Sequence, residues 1–203
     1  MMIEGLGELL AWNGAGLLSA GLTVMMFGLA VVLVVQAVIN GIGPVPTSRA
    51  VRVRIRPLLP DSIGGDILEL GAGWGGVAMC LARMYRNNKV VAIENSWPVW
   101  LFCWIRARLL GPDNLTVVRA DLYDVRLDKA GLVYCYLFPD AMRKLRTNLT
   151  QAPPGSLLLS HTFSVPGMQP VQEVTASDLW RSPLYLYRLG AVDGSADASG
   201  GAV

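Results

Sequence analysis

Residues 66–76 read Asp66-Ile-Leu-Glu-Leu-Gly-Ala-Gly-Trp-Gly-Gly76. A short apolar run, Asp66–Leu70, ends in glycines at 71, 73, 75 and 76, and Gly76–Tyr85 (GVAMCLARMY) is amphipathic at helical spacing. Strand, glycine-rich turn and helix in that order open an α/β sheet. Glycine in such a turn lets the backbone bend tightly and lets a ligand come close to the main chain. The helix that follows offers unpaired N–H groups to an anionic group. The spacing satisfies GxGxxG, which by itself also suits a dinucleotide.

Working outward, strand-like and helix-like segments alternate. Lys89–Glu94 reads as a strand, Val99–Leu110 as a helix, and Leu115–Asp121 and Leu132–Phe138 as two further strands. Asp140–Leu149 reads as a helix and Leu157–Ser160 as the fifth strand, while Pro170–Ala176 and Pro183–Leu189 read as two strands with no long helix between them. This alternation predicts a Rossmann-like, doubly wound, mostly parallel seven-stranded sheet with helices on both faces.

Three acids fall where the strands end. Glu69 lies two residues before Gly71, where a carboxylate would repel a pyrophosphate but pair with an amino group. Glu94 closes the second strand and is placed to accept hydrogen bonds from ribose hydroxyls. Asp121 closes the third and is placed to accept from an adenine amino group, or to cap the turn into Asp124. A ligand with an amine, a carboxylate and a ribose is S-adenosylmethionine. Glu69, Gly71, Gly73, Gly75, Glu94 and Asp121 are the expected cofactor residues; no metal is expected.

Composition adds a second theme. Hydrophobic residues make up 53% of the 203 and charged residues 16%, with three cysteines and a formal net charge of +2. So apolar a chain can bury a core, and three widely spaced cysteines exclude a disulfide scaffold. No charged residue occurs between Glu8 and Arg49. Residues 14–40 are read as one N-terminal transmembrane helix, since the 26 residues Gly14–Ile39 at 1.5 Å each reach about 39 Å against a hydrocarbon core of about 30 Å. Glu4 and Glu8 precede the run and Arg49, Arg52, Arg54 and Arg56 follow it, which places the domain after it in the cytoplasm. The expected organisation is a leader (1–13), the transmembrane helix (14–40), a basic juxtamembrane linker (41–65), the catalytic domain (66–190) and a disordered tail (191–203). All 17 lysines and arginines lie between 41 and 190, while Glu4, Glu8, Asp193 and Asp197 lie outside; the middle of the chain is therefore strongly basic.

The motif Glu69-Leu-Gly-Ala-Gly-Trp-Gly75 resembles the first motif of class I (seven-β-strand) S-adenosylmethionine-dependent methyltransferases. A narrower resemblance rests on an ordered set. It comprises Pro44-Val-Pro-Thr-Ser48, Glu94-Asn-Ser-Trp-Pro98 with Arg106, Ala120-Asp-Leu-Tyr123 and Tyr134-Cys-Tyr-Leu-Phe-Pro-Asp140. Ser160-His-Thr-Phe163 and Tyr185-Leu-Tyr-Arg188 complete it. Together these are similar to small membrane-anchored methyltransferases that include mitochondrial lysine methyltransferases of the adenine nucleotide translocase and of the ATP synthase c subunit, with many bacterial relatives. Trp74 stands where many relatives carry an aspartate.

The resemblance implies an N-methyltransferase that methylates lysine on a membrane protein; the compact architecture suits a bacterial inner membrane, with a mitochondrial membrane as the alternative. A lipid or lipophilic small molecule as acceptor, and a non-catalytic cofactor-binding module, are the alternatives; no nucleic acid is expected. The substrate should meet the methyl group in the loop after the fourth strand, which makes Tyr136, Phe138 and Asp140 the catalytic candidates. Tyr136 also reads as core packing and Asp140 as the N-cap of its helix. His161, the only histidine, reads as a structural hydrogen-bonder before a general base. Trp97, Trp100 and Trp104 form a helical stripe that reads as core or membrane-interface packing before a substrate cage.

Overall fold

The computed structural model describes residues 16–32, 34–35 and 46–190. The chain divides into two compact units, residues 1–43 and 44–203.

In the first unit the residues 16–32 and 34–35 are helical, and are called α1. Its described side chains are exposed, Leu17 at 75% and Phe27 at 71% among them. Its two hydroxyls turn back on the helix itself, Ser19 Oγ donating to Gly16 O and Thr23 Oγ1 to Ser19 O (both 2.9 Å). Among the described residues no helix is long and apolar enough to cross a membrane. The expected transmembrane helix over 14–40 is therefore not supported as a span. Residues 14, 15, 33 and 36–40 of that stretch, the leader 1–13 and the tail 191–203 lie outside the described residues.

The second unit is built on one seven-stranded sheet: β1 (Asp66–Leu70), β2 (Val90–Glu94), β3 (Leu115–Arg119), β4 (Ala130–Cys135), β5 (Leu157–His161), β6 (Gln172–Thr175) and β7 (Pro183–Arg188). The order is β3-β2-β1-β4-β5-β7-β6. The first five strands run parallel, and β7 pairs antiparallel with both β5 and β6. The sheet is thus mixed, because the short connection between β6 and β7 cannot carry a crossover helix and can only return the chain antiparallel. Strand order reverses between β1 and β4, with β2 on one side of β1 and β4 on the other. In open α/β sheets, ligands bind outside the carboxyl ends of the strands at such a reversal.

Strand residues alternate between two apolar layers, as a period of two requires. One face holds Ile67, Leu132, Tyr134 and Leu159 against α2 (Arg49–Leu58) and α3 (Gly76–Met84). The other holds Leu68, Leu70, Val133 and Leu158 against α5 (Pro139–Leu149). α4 (Trp97–Leu110) buries only Val99 and Cys103. Trp97 and Trp104 are exposed, so the tryptophan stripe is not core packing; Trp100 and Trp104 stack on each other at 6.4 Å.

Residues 49–58 are not linker. They form α2, whose N-cap Ser48 Oγ accepts from Val51 N (3.2 Å). Val51, Ile55 and Leu58 recur at i, i+4 and i+7 and are buried in the core. The four arginines occupy four of the seven remaining positions, and their charge masked the apolar stripe beneath. We expect Ile55→Ala, which empties a site with 0% exposure, to lower the stability of the domain by about 2–5 kcal/mol in denaturant unfolding. A change near zero would detach α2 from the core.

Candidate active site

The loop between β1 and α3 sits at the strand-order reversal. Gly71 (φ 75°), Gly73 (φ 53°) and Gly75 (φ 73°) all take the left-handed conformation. At Gly75 a second reason applies: a Cβ would come within 2.6 Å of Cys103 Sγ on α4. Burial pushes that thiol up to about 12, so it packs as a neutral group. The loop is fixed at both ends. Gly71 N and Ala72 N donate to Ile93 O (2.9 and 2.8 Å), and Arg106 Nη1 of α4 donates to Trp74 O (2.8 Å). The Trp74 ring meets Phe102 edge-on at 5.1 Å.

Glu94 does more than end a strand. Its Oε2 accepts from Gly73 N (2.8 Å) and its Oε1 from Ser96 N (2.9 Å). One carboxylate therefore joins the glycine loop to the start of α4. Each oxygen keeps a further lone pair for a ribose hydroxyl.

Glu69 lies in the central strand, 3% exposed, beside Tyr134 in register. Burial raises its carboxyl from 4.5 to about 8, opposed by a hydrogen bond from the Ala78 backbone N–H in the first turn of α3 and reinforced by the negative Glu94. Its Oε2 has no hydrogen-bond partner among the described residues. A buried carboxyl with one unused oxygen, beside left-handed glycines, fits a ligand that brings an ammonium group to this edge. The residues present thus fit S-adenosylmethionine: Glu69 toward the amino group, the glycine loop along the main chain, Glu94 toward the ribose.

The other expected residues divide. β3 ends at Arg119, so Asp121 is in the following turn, where its Oδ1 accepts from Tyr123 N (3.0 Å). It is exposed, with Oδ2 left over for an adenine amino group. β4 ends at Cys135, which puts Tyr136 and Phe138 in the loop beyond it. Tyr136 is half-buried on the face of Glu69 and lies against His161, ring centroids 4.1 Å apart. Phe138 packs against the opposite layer and is itself the N-cap position of α5. Asp140 is therefore not the N-cap. It lies in the first turn of α5, exposed and ion-paired with Arg143.

The sequence placed His161 as a structural hydrogen-bonder before a general base, and the described residues give it no such bond. It is 3% exposed at the end of β5, and burial lowers its pKa to about 4 while the nearby Asp178 carboxylate opposes that fall. Neither ring nitrogen has a hydrogen-bond partner among the described residues. The available signal was position: Cys135 pairs with Ser160, so the next residues of the two chain segments, Tyr136 and His161, share one edge.

Comparison with known proteins agrees with this geometry. Residues 69–172, half of the chain, match the family model described as the ANTKMT methyltransferase domain. No curated protein matches the chain significantly. Among solved structures, an RNA methyltransferase from Salinibacter ruber in complex with S-adenosyl-L-homocysteine is similar at 26% identity, over 76% of this chain and 100% of that one, with a TM-score of 0.66. MtNAS in complex with S-adenosylmethionine shares the fold at 13% identity, over 70% of this chain and 62% of that one (TM-score 0.59). So does a SAM-dependent methyltransferase from Aquifex aeolicus at 14% identity, over 68% and 88% (TM-score 0.55). The chain belongs to the ANTKMT methyltransferase domain family and is a class I S-adenosylmethionine-dependent methyltransferase.

Two expectations follow. Glu94→Ala should weaken S-adenosylmethionine binding at least tenfold in calorimetry while thermal unfolding stays cooperative, since it removes ribose acceptors and frees the loop. Unchanged affinity would refute the ribose role. The second concerns protons. Below about pH 8 the ligand-free domain keeps Glu69 protonated, and an adjacent ammonium favours the ionised form. Binding near pH 6.5 should therefore release about one proton, read as different binding heats in two buffers of unlike ionisation enthalpy, and Glu69→Gln should abolish the difference. The same shift makes the ligand-free domain lose stability as pH rises from about 4.5 to about 8, because the unfolded chain gives up this proton first.

Proposed function

We propose that the chain transfers a methyl group from S-adenosylmethionine to a lysine nitrogen of a membrane protein. The observation that carries the amine is the character of the sheet edge beside the cofactor cradle. There the Tyr136 ring lies against His161, whose depressed pKa leaves it uncharged at neutral pH. A lysine with a pKa of about 10.4 is neutral in only about one part in a thousand near pH 7.4, and a buried aromatic setting shifts it toward the reactive neutral form. The resemblance to lysine methyltransferases of mitochondrial membrane proteins points the same way.

Support for a membrane target comes from sequence and surface. No charge interrupts residues 9–48. On the second unit, Arg49, Val53 and Arg54 of α2 line a groove of about 480 Å³ with Ser177 of the β6–β7 connection. In that connection Leu179 and Trp180 are 89% and 82% exposed. Arginines on α2, with an exposed leucine and tryptophan in the connection that reaches their groove, suit a bilayer interface with anionic headgroups. A tether of this kind raises the effective concentration of membrane-bound acceptors.

When bound, S-adenosylmethionine supplies a methyl group on a sulfonium for in-line displacement. Glu69, Glu94 and the glycine loop fix the donor, and the edge at Tyr136 receives the acceptor; positioning carries much of such a reaction. The nitrogen lone pair forms the new N–C bond while the C–S electron pair goes to sulfur, leaving S-adenosylhomocysteine, and one proton passes to water.

The test is a labelled transfer assay. Membranes from cells lacking the protein are incubated with the purified full chain and methyl-tritiated cofactor, then divided into protein and organic fractions. Methyl-lysine in the protein hydrolysate is the expected result. Label confined to the organic fraction would replace the reading with methylation of a lipid or lipophilic molecule. Cofactor binding without transfer to either fraction would leave a non-catalytic module.

A further inference from the structure

His161 and Thr162 stand together at the end of β5 and share an anomaly. Both ring nitrogens of His161 and the hydroxyl of Thr162 are buried without a hydrogen-bond partner among the described residues. A buried polar group left without a hydrogen bond is costly, so each needs a partner. The backbone carries strain at the same point. Thr162 has φ 71°, one of two non-glycine residues with positive φ in the described chain. Phe163 N donates to His161 O (2.9 Å), closing a three-residue γ-turn around a β-branched residue. Three bonds hold that turn: the γ-turn bond itself, Thr162 N to Pro183 O (2.8 Å), and Ser160 Oγ to Phe163 O (2.5 Å). Strain kept in place by its surroundings at the edge of a sheet points to a positioned side chain.

The position is informative. Tyr136 and His161 follow paired residues of neighbouring strands, and their rings lie 4.1 Å apart, centroid to centroid, tilted by 40°. By strand alternation both fall on the Glu69 face, since Glu69 pairs with Tyr134 and Tyr134 with Leu159. The cradle for the cofactor is at the ends of β1 and β2; His161 is two strands further, about 10 Å along the same edge. The acid whose charge acts on the ring, Asp178, is occupied by Ser182 N and Ser182 Oγ (2.7 Å each).

We infer that His161 binds the methyl acceptor: one unprotonated ring nitrogen accepts a hydrogen bond from the N–H of the acceptor amine, with Tyr136 as the apolar wall. This rests on the amine reading of the preceding subsection. An amine that donates one N–H to the ring has its lone pair free for the methyl carbon. The low pKa that burial imposes keeps the ring an acceptor throughout the neutral range. It also disqualifies the ring as the group that removes the lysine proton, so His161 orients the amine and water takes the proton.

A single histidine in the chain makes the test direct. The full-length protein, labelled with ¹⁵N-histidine and saturated with S-adenosylhomocysteine, is titrated with Nα-acetyl-lysine methylamide. Nα-acetyl-norleucine methylamide, which lacks the amine, is the control. The expected result is a shift of the unprotonated ring nitrogen with the lysine compound only. Equal shifts with both compounds, or none with either, would overturn the inference and assign the ring nitrogens to water. In the transfer assay His161→Ala should lose at least tenfold in kcat/KM with cofactor affinity within twofold of wild type, and His161→Gln, which keeps an acceptor, should recover part of the loss. Full activity of His161→Ala would also overturn it. If neither variant folds, the ring-nitrogen shift in the wild-type protein decides. A lysine-selective shift in a protein that labels only lipid would sink the protein-substrate reading and leave the amine contact standing.

Discussion

Glu69 puts an ionisable carboxyl in the middle of an apolar sheet, and much of the site is arranged around that one group. Desolvation drives it toward neutrality. The protein supplies a partial remedy, the Ala78 N–H of the first turn of α3, and no second one for Oε2 among the described residues. Full compensation would make the carboxylate indifferent to a ligand. Partial compensation leaves it poised, so that a cation arriving at the edge recovers electrostatic energy that folding left unrecovered. The position on β1 matters as much as the burial. Strand order reverses there, and only at such a reversal do the loops splay apart to leave a crevice.

The glycine loop over that crevice is held less by its own sequence than by two helices distant in the chain. Glu94 binds Gly73 N and Ser96 N, and Arg106 of α4 binds Trp74 O. Cys103 of the same helix fills the space that the missing Cβ of Gly75 leaves. Arg52 of α2 reaches the other side: a Cβ at Gly76 would meet its Nη1 at 3.3 Å, and the same nitrogen bonds to Thr47 O (2.5 Å). Thr47 and Arg52 thus serve the cofactor loop as well as any surface role.

This explains which parts were legible in the sequence. The β1–α3 unit was, because glycines at fixed offsets have few uses other than close approach. The alternation of elements was too, since apolar strands and amphipathic helices differ in period. α2 was not: Val51, Ile55 and Leu58 carry a helical stripe, but Arg52, Arg54 and Arg56 between them dominate any reading by charge. Asp121 and Asp140 stayed ambiguous for a related reason. An acid near a strand end has the same sequence signal whether it faces a ligand or bonds locally, and Asp121 caps a turn while Asp140 pairs with Arg143. His161 was underread because a lone histidine carries no spacing information; only the pairing of β4 with β5 brings it to Tyr136.

The edge therefore divides by chemistry along the strand order. The β1–β2 end is acidic: Glu69 and Glu94 suit a ligand with positive charge and hydroxyls. The β4–β5 end is aromatic and uncharged: Tyr136 and a neutral His161 suit a group that must lose its charge before it reacts. A transferase with a cationic donor needs that separation. If the acidic pair faced the acceptor, it would hold an amine in its unreactive ammonium form. If the aromatic pair faced the donor, the cradle would lack the negative charge that favours an amino group. The reversal of strand order between β1 and β4 puts a boundary between these two environments at the one point where the crevice opens. Topology and charge distribution thus support the proposed arrangement by separate routes: donor toward β1 and β2, an amine acceptor toward β4 and β5.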